Sequence, residues 1–157
     1  MKKKGFDGEL SFLSNFYECS RSIVVDDIEF NNVESAYQYS KCYLPEDKER
    51  MSKITDPKVS KRLGKRIKVR PDWNEVKLQI IEDLVHQKFH DPFLLVMLHQ
   101  TGNQNLEETN WWGDTFWGVC KGVGENHLGK ILMKLRDRVT QFLKDTEDDP
   151  DEEYQSS

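Results

Sequence analysis

The sequence predicts a mainly helical α+β domain carrying one small β element, and three observations support that reading. Apolar residues recur at helical spacing through two long stretches, 73–90 and 126–143. Only SIVVDDIEF, at 22–30, has the β-branched composition of short strands, with Asp26-Asp27 as the turn pair of a hairpin. Pro57 and Pro92 open helical stretches, while Gly64 and Gly102 close them. At 157 residues the chain is long enough to bury a core as one domain.

After the hairpin, Asn31 and Asn32 can accept the first free amides of a helix that runs to about Leu44, before Pro45. Short helices are expected at 47–54 and 57–64. Asp72 is placed to cap the helix 73–90, on which Val76, Ile80, Ile81, Leu84, Val85 and Phe89 form one apolar stripe. The following helix, PFLLVMLHQTG, is apolar on nearly all sides and is expected to sit centrally. The last starts near Asn126 and turns Leu128, Ile131, Leu132, Leu135, Val139, Phe142 and Leu143 inward. No internal repeat is present.

The three cysteines, Cys19, Cys42 and Cys120, match neither a disulfide framework nor a zinc spacing, which favours a reducing compartment. No apolar run reaches the roughly 18 residues of a membrane span, and MKKKGFDGEL lacks the apolar stretch of a signal peptide. A soluble cytoplasmic protein without membrane contact is expected. The net charge of -5 is unevenly spread. Residues 145–157 hold seven acids, no base and Pro150, the composition of a disordered acidic tail behind a domain at 1–144. The body then holds 21 acids against 23 bases, and its basic excess lies in KVSKRLGKRIKVR at 58–70. Such a run either solubilises a helix face or attracts a phosphate-bearing ligand or nucleic acid.

Two segments carry chemistry. In EFNNVESAYQYSKCY, Glu34, Gln38 and Lys41 stand at i, i+4 and i+7 and line one helix face. The pattern suits a ligand bridging a carboxylate, for a hydroxyl or attacking water, and an ammonium, for an oxyanion or phosphate. In WWGDTFWGVCKGVGENHLGKILMKLRD, Trp111, Trp112, Phe116 and Trp117 supply rigid aromatic faces, and Gly118 and Gly129 are among five glycines that permit close backbone approach. Asp114 is the one acid of that aromatic cluster, available for proton transfer or sugar hydroxyls. Asn126 is a candidate cap beside helix-start amides that suit an anion. Arg136 can meet a phosphate or a carboxylate. Asn15, set in FLSNF between Leu13 and Phe16, is an amide expected to fix a loop or a ligand. The packing alternative is an aromatic loop turned by glycines. Glu82, His86 and His90 form a ladder, but HQKFH lacks the glutamate of H-E-x-x-H, so no metal is expected.

FLSNFY, IEFNNVESAYQYSK, TGNQNLEETN and the tryptophan-glycine segment, in that order, resemble the YbiA-like, or NADAR, family over residues 6–142. The resemblance implies a compact, mainly helical YbiA-like fold and hydrolysis of N-glycosidic bonds. The implied substrate is a phosphorylated riboside: ADP-ribose attached to a guanine base, nucleic acid included, or a 5-amino-6-ribosylaminouracil phosphate. It maps the family's helix glutamate onto Glu34, its lysine onto Lys41 and its aspartate onto Asp114, with Trp117 and Gly118 as the W-G pair. Its terminal signature falls on Gly124, Asn126, Leu128, Gly129, Leu132, Met133 and Arg136, and Ser14, Asn15 and Phe16 fit its S-N-F element. No cofactor is implied. The sequence fixes no oligomeric state, and its rival readings are a non-catalytic ADP-ribose- or nucleotide-binding module and a basic nucleic-acid-binding protein.

Overall fold

The computed structural model describes residues 5–19 and 23–147. Their secondary structure is mainly helical, with two two-stranded sheets. The chain divides into two compact units, and the division falls inside one helix, between Leu95 and Val96.

The unit at 6–95 begins with a 3₁₀ helix, Gly8–Leu13. The expected hairpin follows as β1 (Ile23–Val25) paired antiparallel with β2 (Ile28–Phe30). Asp26 and Asp27 both hold positive φ, 51° and 62°, the geometry of a two-residue turn whose twist suits a tight hairpin. Ser22, the first residue of the expected hairpin, lies outside the described residues.

Asn32 caps α1 (Val33–Lys41), its Oδ1 accepting the Ser35 amide at 2.7 Å. Helix α1 stops at Lys41 rather than near Leu44 because Cys42 turns extended and pairs with Val69. Leu44 is extended too, as a residue before proline prefers, and α2 (Pro45–Ser52) starts at that proline. After α3 (Pro57–Leu63), α4 (Trp73–Lys88) turns Ile81, Leu84 and Val85 inward. Val76 and Ile80 are only half-buried, so the stripe is narrower than the sequence suggests. Asp72 precedes α4 without capping it; Arg70 takes its carboxylate at 2.6 and 2.9 Å. The interior helix of this unit is α1, packed against α2, α3, α4 and β1 with every residue from Val33 to Tyr39 buried.

Helix α5 (Pro92–Gln100) departs from expectation. Leu94 and Leu98 are buried, but Phe93 is 83% exposed and Val96 and Met97 also face solvent. Only this i, i+4 row is buried, so general apolarity misreads its placement. In the unit that holds residues 96–147, β3 (Thr109–Asn110) pairs in parallel with β4 (Val119–Cys120), an element too short to leave a sequence pattern. Helix α6 (His127–Glu147) buries Leu128, Ile131 and Leu132, yet Phe142 and Leu143 are exposed where the helix outruns its core. It also carries Asp145–Glu147, expected in the tail, as helix. Bonds from Gln141 to Asp145 and from Thr146 to the Phe142 carbonyl favour that last turn. The rest of the expected tail, 148–157, lies outside the described residues. Among the described residues no helix is long and apolar enough to cross a membrane.

Candidate functional site

The polar face of α1 is a built arrangement. Glu34 stands in the first turn, where the helix dipole favours a carboxylate, and its amide donates to the Asn15 carbonyl at 3.0 Å. Its Oε1 accepts from Gln38 Nε2 at 2.9 Å, and both residues are buried, at 8% and 6% exposure. A Cβ at Gly64 would fall on the Gln38 side chain, so glycine there lets α3 close on this face. Gln38 Oε1 is buried without a partner among the described residues. Ser35 and Ser60 share a buried hydroxyl bond at 2.8 Å that ties α1 to α3. Lys41 Nζ donates to the Gly64 carbonyl at 2.8 Å. Burial holds the Lys41 ammonium below the usual lysine range; Glu34 and Cys42 oppose that shift, and Lys65 adds to it. The predicted i, i+4, i+7 set is therefore physically coupled.

Asn15 and Phe16 are half-buried beside α1. Asn15 Oδ1 is buried without a partner among the described residues, and Lys61 Nζ lies 5.7 Å from the Phe16 ring centroid. Burial pushes the Cys42 thiol up to about 11 and raises that of Cys19, so neither is an activated thiolate. Of the histidine ladder, His86 pairs with Glu82 at 3.9 Å and His90 lies beyond the end of α4.

In the other unit, Asp114 is bound to its own loop. Asp114 Oδ1 accepts the amides of Phe116 at 3.2 Å and Trp117 at 2.9 Å. Asn110 takes both the amide and the carbonyl of Asp114. Asp114 thus shapes the turn that presents Phe116 and Trp117, whose rings meet edge to face at 4.6 Å. Trp111 and Trp112 are exposed and also meet edge to face.

Asn126 precedes the first residue of α6, and its carbonyl accepts the Lys130 amide at 3.0 Å, while its side chain accepts from the Glu108 amide at 3.0 Å and donates to the Leu106 carbonyl at 2.9 Å. The helix start is equally occupied: the amides of Asn126, His127 and Leu128 donate to the carbonyls of Gly118, Phe116 and Trp117. The expected anion site on those amides is therefore filled by the chain's own loop. A Cβ at Gly129 would meet the Leu106 carbonyl, and one at Gly118 the Glu108 carbonyl, so both glycines permit close packing of this segment. Arg136 is buried, with Nη1 donating to Thr101 Oγ1 at 2.9 Å and to the Gln104 carbonyl at 2.7 Å. It anchors the loop after α5 rather than standing open to a phosphate.

Sequence reasoning missed Lys88. It stands on the inward stripe of α4 with Ile81, Leu84 and Val85, is 2% exposed, and donates to the Ser14 carbonyl at 2.8 Å. A cation in register with an apolar stripe was the available signal.

Comparison with known proteins adds four findings. The model of the NADAR domain matches residues 4–140. A riboflavin biosynthesis protein of Vibrio vulnificus is 31% identical over 139 residues, covering 86% of this chain but only 37% of that protein. The N-glycosidase YbiA of Shigella flexneri is 30% identical over 131 residues, covering 80% of this chain and 79% of the relative. The NMR structure of the E. coli protein YbiA superposes with a TM-score of 0.75 at 26% identity, covering 89% of this chain and 84% of that one.

Proposed function

The chain belongs to the NADAR family, and from that premise we propose that it is an N-glycosidase, a hydrolase that cleaves the C1–N bond of a phosphorylated riboside. Similarity to proteins named N-glycosidase supports the reaction class. The substrate is either ADP-ribose attached to a guanine base or a 5-amino-6-ribosylaminouracil phosphate. The observation that carries the reading is the buried Glu34 carboxylate, held at one oxygen by Gln38 and electrostatically coupled to Lys41.

Breaking a C1–N bond builds positive charge on the ribose carbon, and a fixed carboxylate both stabilises that charge and takes a proton from water as the new C1–O bond forms. The departing nitrogen keeps the electron pair of the broken bond and takes up a proton from solvent, which balances the one lost by water. Glu34 is assigned this role. Gln38, by donating to Oε1, fixes the orientation of that carboxylate. Asp114 is assigned to ordering the Trp117 turn, consistent with its two amide bonds.

Lys41 supports a second route because burial favours its neutral amine. In that route the amine bonds C1 as the base departs, ring opening gives an imine, and water hydrolyses the imine to return the sugar and the free lysine. Borohydride trapping during turnover separates the routes: a sugar adduct on Lys41 identifies the imine, and its absence leaves direct attack by water.

The deciding experiment incubates the protein with an ADP-ribosylated guanine oligonucleotide and, separately, with the aminouracil riboside phosphate, measuring the free base or amine released. Release from at least one is expected. Glu34→Gln should lower kcat/KM by about 100-fold or more at unchanged Tm. Full activity in that variant would remove Glu34 from the mechanism, and binding without release in the wild type would make the chain a binding module.

A further inference from the structure

Lys88 is a buried ammonium in an unusual setting. Nζ donates to the Ser14 carbonyl at 2.8 Å and lies 5.4 Å from the ring centroids of Tyr17 and Phe89. Among the described residues no carboxylate pairs with it. Burial pushes its pKa down to about 8, with Cys19 opposing. Filling this place in the core calls only for an apolar side chain of similar length, and burying a cation against a carbonyl and two rings is costly.

The carbonyl it holds opens the S-N-F segment. Ser14 O also accepts the Tyr17 amide at 3.2 Å, and Ser14 Oγ accepts the Phe16 amide at 3.1 Å, which closes residues 14–17 into a turn. The next carbonyl, that of Asn15, accepts the amide of Glu34. One turn is therefore gripped on one side by Lys88 and on the other by the backbone of the residue assigned to the chemistry. Between these grips stands Asn15, whose buried Oδ1 has no partner among the described residues.

We infer that Lys88 is a positioning residue: through the Ser14 carbonyl it fixes the 14–17 turn so that Asn15 is held ready beside Glu34 to hydrogen-bond the ribosyl substrate. This rests on the N-glycosidase reading of the Glu34 site. Lys88 itself touches no substrate, being enclosed by α4 and the turn.

The test is a double-mutant cycle of Lys88→Met and Asn15→Ala, read in kcat/KM on whichever riboside is turned over and in Kd for ADP-ribose. Asn15→Ala should cost about tenfold, the worth of one hydrogen bond to substrate. Lys88→Met should keep or raise Tm, cost a similar factor, and add nothing when combined with Asn15→Ala. A purely structural lysine would instead lower Tm and give multiplying losses, which overturns the inference. Should Lys88→Met not fold, Lys88→Gln takes its place in the cycle, with a smaller loss and the same non-additivity expected. If the wild type hydrolyses neither substrate, the N-glycosidase reading falls while the cycle is still read in ADP-ribose Kd. Multiplying losses there, or no ADP-ribose binding by the wild type, overturn the role of Lys88.

Discussion

At the residue scale the decisive contact is between two neutral groups. Gly64 lies so close to Gln38 that a Cβ would fall on the side-chain amide, and that amide holds Glu34 Oε1. Gly64→Ala must therefore displace Gln38 and release the carboxylate, although nothing ionisable has changed. The expected loss in kcat/KM is about tenfold, on the scale of one hydrogen bond to a charged group. Since the effect passes through Gln38, Gly64→Ala should cost little further in a Gln38→Ala background, where the collision is gone. Steady-state kinetics of the two single variants and the double variant check this, and independent, multiplying losses would refute the route through Gln38. The sequence shows Gly64 as a helix terminator, which it is, but its second duty depends on α1 and α3 meeting and leaves no local signal.

At the element scale, α1 is set by the residue that precedes it. Asn32 caps with Oδ1 and donates from Nδ2 to the Thr55 carbonyl at 2.9 Å, so one side chain fixes both the helix start and the chain leading into α3. Asn32→Ala should lower stability by about 2 kcal/mol, a typical cap loss plus an unpaired carbonyl, as read by urea unfolding. It should also reduce turnover, because Glu34 is two residues away.

Local signals of this kind were legible. The Asp26-Asp27 turn, the Asn32 cap and the Pro57 helix start all appear as expected. What the sequence misassigned was decided by partners distant along the chain or by competing neighbours. Cys42 leaves the helix to pair with Val69, and Arg70 captures Asp72. Of the candidate site residues, Glu34, Gln38 and Lys41 were readable because helical spacing alone brings them to one face. Asn126 and Arg136 read as ligand groups because their true partners, backbone carbonyls and a threonine in another loop, carry no sequence mark.

At the scale of the whole molecule, net charge hides a division. The chain carries -5 overall, yet seven bases and no acid fall between residues 58 and 70, on α3 and the turn behind it. Lys58, Arg62, Lys65 and Arg66 are exposed there, and Lys65 acts electrostatically on Lys41. A cationic face coupled to the Glu34 site would matter differently for the two substrates. A riboside phosphate presents little charge beyond the site itself, whereas an oligonucleotide presents a phosphate row whose binding releases counterions. Reversing the charge at the two exposed helix positions, Lys58→Glu with Arg62→Glu, should therefore leave kcat/KM for the small riboside nearly unchanged. For the ADP-ribosylated oligonucleotide it should lower kcat/KM and flatten its salt dependence. If each side chain meets one phosphate of a single strand, the slope of log kcat/KM against log salt should fall by about 1.4. Equal losses on both substrates would tie α3 to the riboside, and no loss on either would reduce the basic face to solubility.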